Sequence, residues 1–369
     1  MRVMKSPRNV DIEITNRCNL RCKYCAHFSS PGDVNGDLPK EEWFKFFEEL
    51  NRCAVMDVTL SGGEAFYRKD ITEIIESIVH NKMRYSILSN GTLITDEMAK
   101  FLAETKRCNS VQVSIDGSAP ETHDIFRGKG TFAKAIDSVG YLKKYGISTT
   151  VRVTIHKYNV PDLDRVAKLL LEDIGLNDFS TNVASYLGLC RDNNEQIKLS
   201  VEDQSIAMET LLRLAKKYNG RVIAAAGPLA NARMWLAMEK ARLDGEESLP
   251  GRGCLAGCGG VTSKLAVRAD GVMVPCSQLP HIELGMINKD DLMDVWQNHP
   301  ELARIRNRKI IPLSEFEFCQ GCDYINYCTG NCPALSYTLV GIEDHPSPDA
   351  CLKRFLEDGG RLPDRSLLD

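Results

Sequence analysis

A chain of 369 residues, 43% hydrophobic and 26% charged, is long enough to bury one large core and to carry a smaller module beside it. Its formal charge of −4 offers no basic footprint for nucleic acid or for an anionic membrane surface. No charged-then-apolar leader opens it and no apolar run is long enough to cross a bilayer, so a cytoplasmic location is expected. There, 14 cysteines point to metal ligation rather than disulfides.

In chain order, residues 10–15 are apolar and β-leaning, a first strand, and Cys18, Cys22 and Cys25 follow in the loop at its mouth. Three thiolates at that spacing can grip three irons of a [4Fe–4S] cube and leave the fourth iron open for chemistry. A zinc knuckle is the other reading, although zinc sites normally bring a fourth Cys or His, and the nearest, His27, is only two residues on. Residues 38–50 have helical periodicity, with Pro39 near the start. Strands at 55–60, 85–88, 111–115, 149–155 and 179–185 then alternate with helices at 70–81, 96–105, 132–144 and 160–173. This βα alternation predicts an α/β fold, a parallel sheet curled into a partial TIM-type (β/α)6 barrel with helices outside and function at the strands' C-terminal ends. Helices at 201–218 and 229–243 and a Gly- and Pro-containing linker at 244–253 lead into a cysteine-rich module. The expected domains are therefore a barrel over 1–190, a helical bridge over 191–253, and the cysteine-rich module over 254–369.

Several strand ends carry polar or flexible residues. The second closes with Ser61, Gly62, Gly63 and Glu64, where glycines permit close approach of a ligand and Glu64 offers an acceptor. The third closes with Ser89, Asn90 and Gly91, a turn or a site. On the fourth, two-residue alternation puts Ser114 and Asp116 on one face, pointing into the barrel. Arg152 alternates with apolar neighbours on the fifth and needs an anionic partner if it points inward. His123, Asp124 and Arg127 read as a solvated ion-pair cluster. Cys190 follows the sixth strand, near where a substrate would lie, as a candidate catalytic thiol. The last module holds Cys258, Gly271 and Cys276, then Cys319, Cys322, Cys328 and Cys332 at close spacings, and finally Cys351; Cys254 stands just upstream. Iron–sulfur clusters or zinc could use such a set.

The Cys-x3-Cys-x2-Cys run, with Tyr24 before its last cysteine, resembles the signature of the radical S-adenosylmethionine (radical SAM) superfamily. The C-terminal series matches, cysteine for cysteine, the SPASM extension found in peptide- and protein-modifying members. The resemblance implies that the loop cluster delivers an electron to SAM, and that the resulting 5′-deoxyadenosyl radical takes a hydrogen from the substrate. It also implies three [4Fe–4S] clusters: one on Cys18, Cys22 and Cys25, one on Cys254, Cys258, Cys276 and Cys332, and one on Cys319, Cys322, Cys328 and Cys351. By the same resemblance Gly62, Gly63 and Glu64 meet the amino group of SAM, and Asn90, Ser114, Asp116 and Arg152 surround the rest of it. Ile155 and Asn159 touch the adenine, with Tyr24 packed on the same ring.

The expected substrate is a ribosomally made peptide or a protein side chain, crosslinked or otherwise oxidised. The short stretch before Cys18 leaves its recognition to the barrel mouth or to a separate leader-binding partner. A flavodoxin or ferredoxin would supply electrons. Sulfatase maturases are similar in length but carry an acidic residue where Ser277 stands. A tetrapyrrole or another small metabolite is the rival substrate, and a non-catalytic iron–sulfur or zinc scaffold the rival class.

Overall fold

The computed structural model describes residues 3–28, 36–258 and 260–367. Its central element is one ten-stranded sheet. The six expected strands are present as β1 (Asn9–Thr15), β2 (Asp57–Gly62), β3 (Arg84–Ser89), β4 (Cys108–Ser114), β5 (Thr149–Ile155) and β6 (Phe179–Val183). Each is parallel to the next. Helices α1 (Lys40–Arg52), α2 (Ile71–His80), α3 (Asp96–Glu104), α4 (Pro120–Arg127) and α5 (Thr131–Lys144) lie between the first five strands.

The helices form where apolar residues recur on one stripe. In α1, Trp43, Phe46, Phe47 and Leu50 are buried, and in α2, Ile71, Ile74, Ile75 and Ile78, both at the i, i+3, i+4, i+7 spacing of a single face. They join Val10, Ile12 and Ile14 of β1 in one continuous core. Each such side chain contributes roughly 1.5–3 kcal/mol through burial. The helix expected over 160–173 is broken into a 3-10 turn, a short α-helix and the π-turn Leu169–Asp173.

Four strands extend the sheet beyond the sequence reading. β7 (Val222–Ala224) pairs with β6 in parallel, inside the segment expected to be wholly helical. At the other edge β8 (Lys264–Val267) pairs in parallel with β1, Asn9 facing Lys264, and β9 (Val272–Val274) and β10 (Gly285–Met286) add antiparallel strands beyond it. β7 and β8 do not pair with each other, so the sheet stays open. The β8–β9 turn depends on Gly271, at φ +87, where a Cβ would stand 2.7 Å from the Leu38 side chain. The C-terminal module also grips α1, through Asn288 Nδ2 donating to the Glu42 carbonyl at 2.9 Å and the Leu292 amide donating to Glu49 Oε1 at 2.9 Å. A second buried cluster joins Met208, Trp235 and Met238 of the bridge helices to Tyr327, Leu352 and Phe355. No described helix is long and apolar enough to cross a membrane.

Candidate active site

The cysteine loop is fastened at its start. Asp37 accepts hydrogen bonds from Thr15 Oγ1 at 2.6 Å and from the Asn16 amide at 2.7 Å. Gly62 and Gly63 form its seat: the Gly63 amide donates to the Thr15 carbonyl at 2.8 Å and the Glu64 amide to the Arg17 carbonyl at 2.8 Å. A Cβ on Gly63 would lie 2.2 Å from the Arg17 carbonyl oxygen, so only glycine lets β2 end this close to the loop.

Glu64 is buried and accepts from Ser89 Oγ at 2.8 Å and from the amides of Asn90 and Phe66 at 2.7 and 3.3 Å. Burial pushes its carboxyl up while these donors pull it back. Its carboxylate thus ties the ends of β2 and β3 together, with one lone pair left for a ligand. Asn90 stands beside the loop, its Nδ2 at 3.0 Å from Asn19 Oδ1 and 3.8 Å from Cys18 Sγ.

The loop sulfurs have the surroundings of metal ligands. The Leu20 amide points at Cys18 Sγ from 3.3 Å, and the His27 and Phe28 amides bond to Cys25. Burial pushes the Cys18 thiol up to about 11 and Cys22 to about 12, with the neighbouring cysteines adding to it. Such thiols hold their protons until iron displaces them, and the N–H donors then face thiolates.

Asp116 is the keystone behind the loop. Fully buried, it accepts from the Tyr24 hydroxyl, from Arg127 Nε at 2.5 Å and from the Thr154 amide at 2.8 Å. Asn159 clamps the same corner, donating to the carbonyls of Asp116 at 2.8 Å and Thr154 at 2.9 Å and accepting from the His156 amide at 2.9 Å. Tyr24, Phe126 and His156 stack above, with 4.3 Å between the last two ring centroids. The polar atoms of Tyr24, Asp116 and Asn159 bond to the protein itself and so hold the site's wall.

Arg127, read from sequence as solvated, is the residue missed. The signal lay in α4, where His123, Phe126 and Arg127 share the buried i, i+3, i+4 face. Cys190 is fully buried among Tyr24, Phe126 and Ile197, its amide bonds to the Cys25 carbonyl, and burial pushes its thiol up to about 12, so it packs behind the loop as a protonated thiol.

Burial drives His123 and His156 down from 6.5 to about 4. The unfolded chain protonates both rings below 6.5 while the folded chain does not until about 4, so stability is lost as pH falls across that window. Urea unfolding at pH 5 should therefore show a loss of about 2 kcal/mol per ring relative to pH 7, and a flat profile would refute the buried neutral rings.

Ser114 and Arg152 are register neighbours on β4 and β5, both half-buried. Arg152 and Ile155 line a cavity of about 530 Å³ between the ends of β5 and β6 and the C-terminal module, which also exposes Cys332 and Cys351 to it. Three buried polar atoms of its lining residues have no hydrogen-bond partner among the described residues: Arg152 Nε, Asn182 Oδ1 and Gln278 Oε1. A second cavity, of about 300 Å³, is walled by Cys319, Cys322, Cys328 and Cys351 together. The Cys276 thiol feels the charges of Cys258 and Cys332, a group apart from those four. Backbone amides point at sulfur here too, Gln278 to Cys276 at 3.5 Å and Gly330 to Cys328 at 3.4 Å. The donor set and the four-cysteine cavity fit iron–sulfur clusters.

A parallel sheet with three cysteines in the loop after its first strand defines a radical SAM protein, and residues 12–170 match the model of the radical SAM superfamily. Residues 258–323 match SPASM, an iron–sulfur cluster-binding domain. The chain belongs to the radical SAM enzymes that carry a SPASM domain, with iron–sulfur clusters and SAM as cofactors. Among its relatives, the AdoMet-dependent heme synthase of Methanosarcina barkeri is 28% identical over 351 residues, 92% of this chain and 96% of the relative. The PqqA peptide cyclase of Ruegeria pomeroyi is 26% identical over 336 residues, 89% of this chain and 83% of that one. Streptococcus suis SuiB bound to S-adenosylmethionine shares the fold, with a TM-score of 0.71 at 16% identity over 95% of this chain and 78% of SuiB. SuiB bound to its precursor peptide SuiA matches at 0.69.

Proposed function

We propose that the enzyme oxidatively modifies a ribosomally made peptide or a protein side chain, held in the cavity between β5, β6 and the C-terminal module. The observation that carries this reading is the set of unpartnered polar atoms there. Asn182 and Gln278 present side-chain amides from opposite walls, the groups that match the donor and acceptor of a peptide unit. The charges on the walls are of mixed sign, with Lys198 standing 3.9 Å from Asp349. A peptide-cyclising relative and a fold neighbour that binds its precursor peptide support the same reading.

Bound SAM and the loop cluster would supply the 5′-deoxyadenosyl radical, and two further [4Fe–4S] clusters the oxidising capacity. Cys18, Cys22 and Cys25 would hold the first cluster, Cys258, Cys276 and Cys332 with Cys254 the second, and the four cysteines of the smaller cavity the third. Gly62, Gly63, Asn90, Ser114, Arg152 and Ile155 would frame SAM, Arg152 taking its carboxylate. The barrel is assigned to 1–190, the bridge to 191–253 and the cluster module to 254–369. A flavodoxin or ferredoxin as donor, a separate leader-binding partner and a reducing, cytoplasmic setting complete the reading.

A second reading, a tetrapyrrole substrate, is favoured by the heme-synthase relative, which matches along nearly its whole length. Anaerobic co-expression with short reading frames beside the gene, followed by mass spectrometry, separates the two. A discrete mass change that depends on Cys22 supports a peptide; tight porphyrin binding with every peptide unchanged supports the tetrapyrrole. With a peptide in hand, the Asn182→Leu, Gln278→Leu double variant should raise KM about tenfold or more and change kcat far less, since uniform binding is what is lost. An unaltered KM would remove the amides from recognition.

A further inference from the structure

Arg308 is fully buried in the C-terminal module, on the 3-10 turn Arg308–Ile310. Its Nη1 donates to the Ala256 carbonyl at 2.6 Å, which anchors the guanidinium two residues from Cys258. Its Nε lies 3.0 Å from Asp344 Oδ1, outside hydrogen-bonding alignment, and its Nη2 has no partner among the described residues. Asp344 is moreover shared with Arg304, so it does not neutralise Arg308 alone. The other charges that Arg308 feels are Cys332 and Cys258. Buried guanidinium donors are rarely left unpaired, and the two cysteines whose charges Arg308 feels offer sulfur acceptors.

We propose that Arg308 is a positioning residue for the iron–sulfur cluster of Cys258, Cys276 and Cys332, its Nη2 donating to a sulfur of that cluster and its charge favouring the reduced form. The inference rests on the assignment of those cysteines as ligands. Reduction adds one electron and no proton, so the cluster becomes one unit more negative, and a fixed buried cation stabilises that state more than the oxidised one. The electron comes from the substrate in turnover and from dithionite in a titration. The consequence is an elevated potential at the cluster whose Cys332 borders the large cavity, which suits it to accept an electron from there.

The test is an EPR-monitored redox titration of the reconstituted enzyme and its Arg308→Met and Arg308→Lys variants, with iron and sulfide counted in each. Arg308→Met should lower the reduction equilibrium constant of one cluster tenfold or more, which is about 59 mV for one electron, and leave the others in place. Arg308→Lys, milder for folding because it keeps a cation, should lower it about threefold by losing the Nη2 hydrogen bond. Unchanged potentials in either Arg308 variant with full iron, or an equal shift of every cluster, overturn the proposal. If instead Cys276→Ala removes no iron and no EPR signal, the ligand assignment itself has failed.

Discussion

Replacing Cys22 with alanine is expected to abolish 5′-deoxyadenosine formation, a loss on the order of 10³-fold or more. Burial pushes its thiol up to about 12, and it feels the charges of Arg127, Cys25 and Cys18. With only two thiolates the loop could no longer hold the [4Fe–4S] cube that would supply the electron. Iron should fall by about four atoms per chain while the C-terminal clusters keep their EPR signals. Retained SAM cleavage with that iron missing would disprove the assignment of the loop as the reductive centre.

Arg127→Met should destabilise the protein by about 3–5 kcal/mol, the cost of leaving a buried carboxylate without its cation. In the native protein burial would push the Asp116 carboxyl up, but Arg127 outweighs it and holds it below the usual carboxylate range. The stability gained from Asp116 is therefore fully present above its unfolded pKa and lost only as pH falls through the depressed folded value. Without Arg127 the burial effect is left in command and Asp116 shifts the other way. The variant then gains stability as pH falls, and the gap between it and the wild type should narrow from pH 7 toward pH 4 in urea titrations. Asp116→Asn added to Arg127→Met should recover part of the loss, because no buried charge remains. A gap that is constant with pH, or a double variant no better than the single one, would mean that the ion pair is not what holds this corner.

Much of this architecture was legible in the sequence for a physical reason: barrel strands and their helices are long enough to show period. The buried stripes of α1 and α2, and the alternation of Val10, Ile12 and Ile14, follow directly from residue spacing. β7 was not legible because three residues, Val222–Ala224, carry no period, and β8 because its partner lies at the far end of the chain. The cysteines were legible as groups, since their spacing is local. What the sequence hid was the use of polar atoms. Asp116 and Asn159 sit at strand ends where ligand contacts are expected, yet their bonds go to Arg127, Thr154 and His156. Neither propensity nor spacing reveals which of two buried partners a carboxylate will choose.

The parallel pairing of β1 with β8 has a consequence during synthesis. β1 leaves the ribosome among the first strands, whereas the strand that covers its outer flank begins only at Lys264. At about 5–20 residues per second, that flank waits on the order of ten to fifty seconds. Throughout that interval a row of unpaired backbone groups beside the nascent barrel is open to strands from other chains. Non-local closure of this kind is also slow in its own right, since the entropy of bringing distant segments together is lost before any contact rewards it. The yield of soluble enzyme is thus set by how long the first strand can wait for the last module.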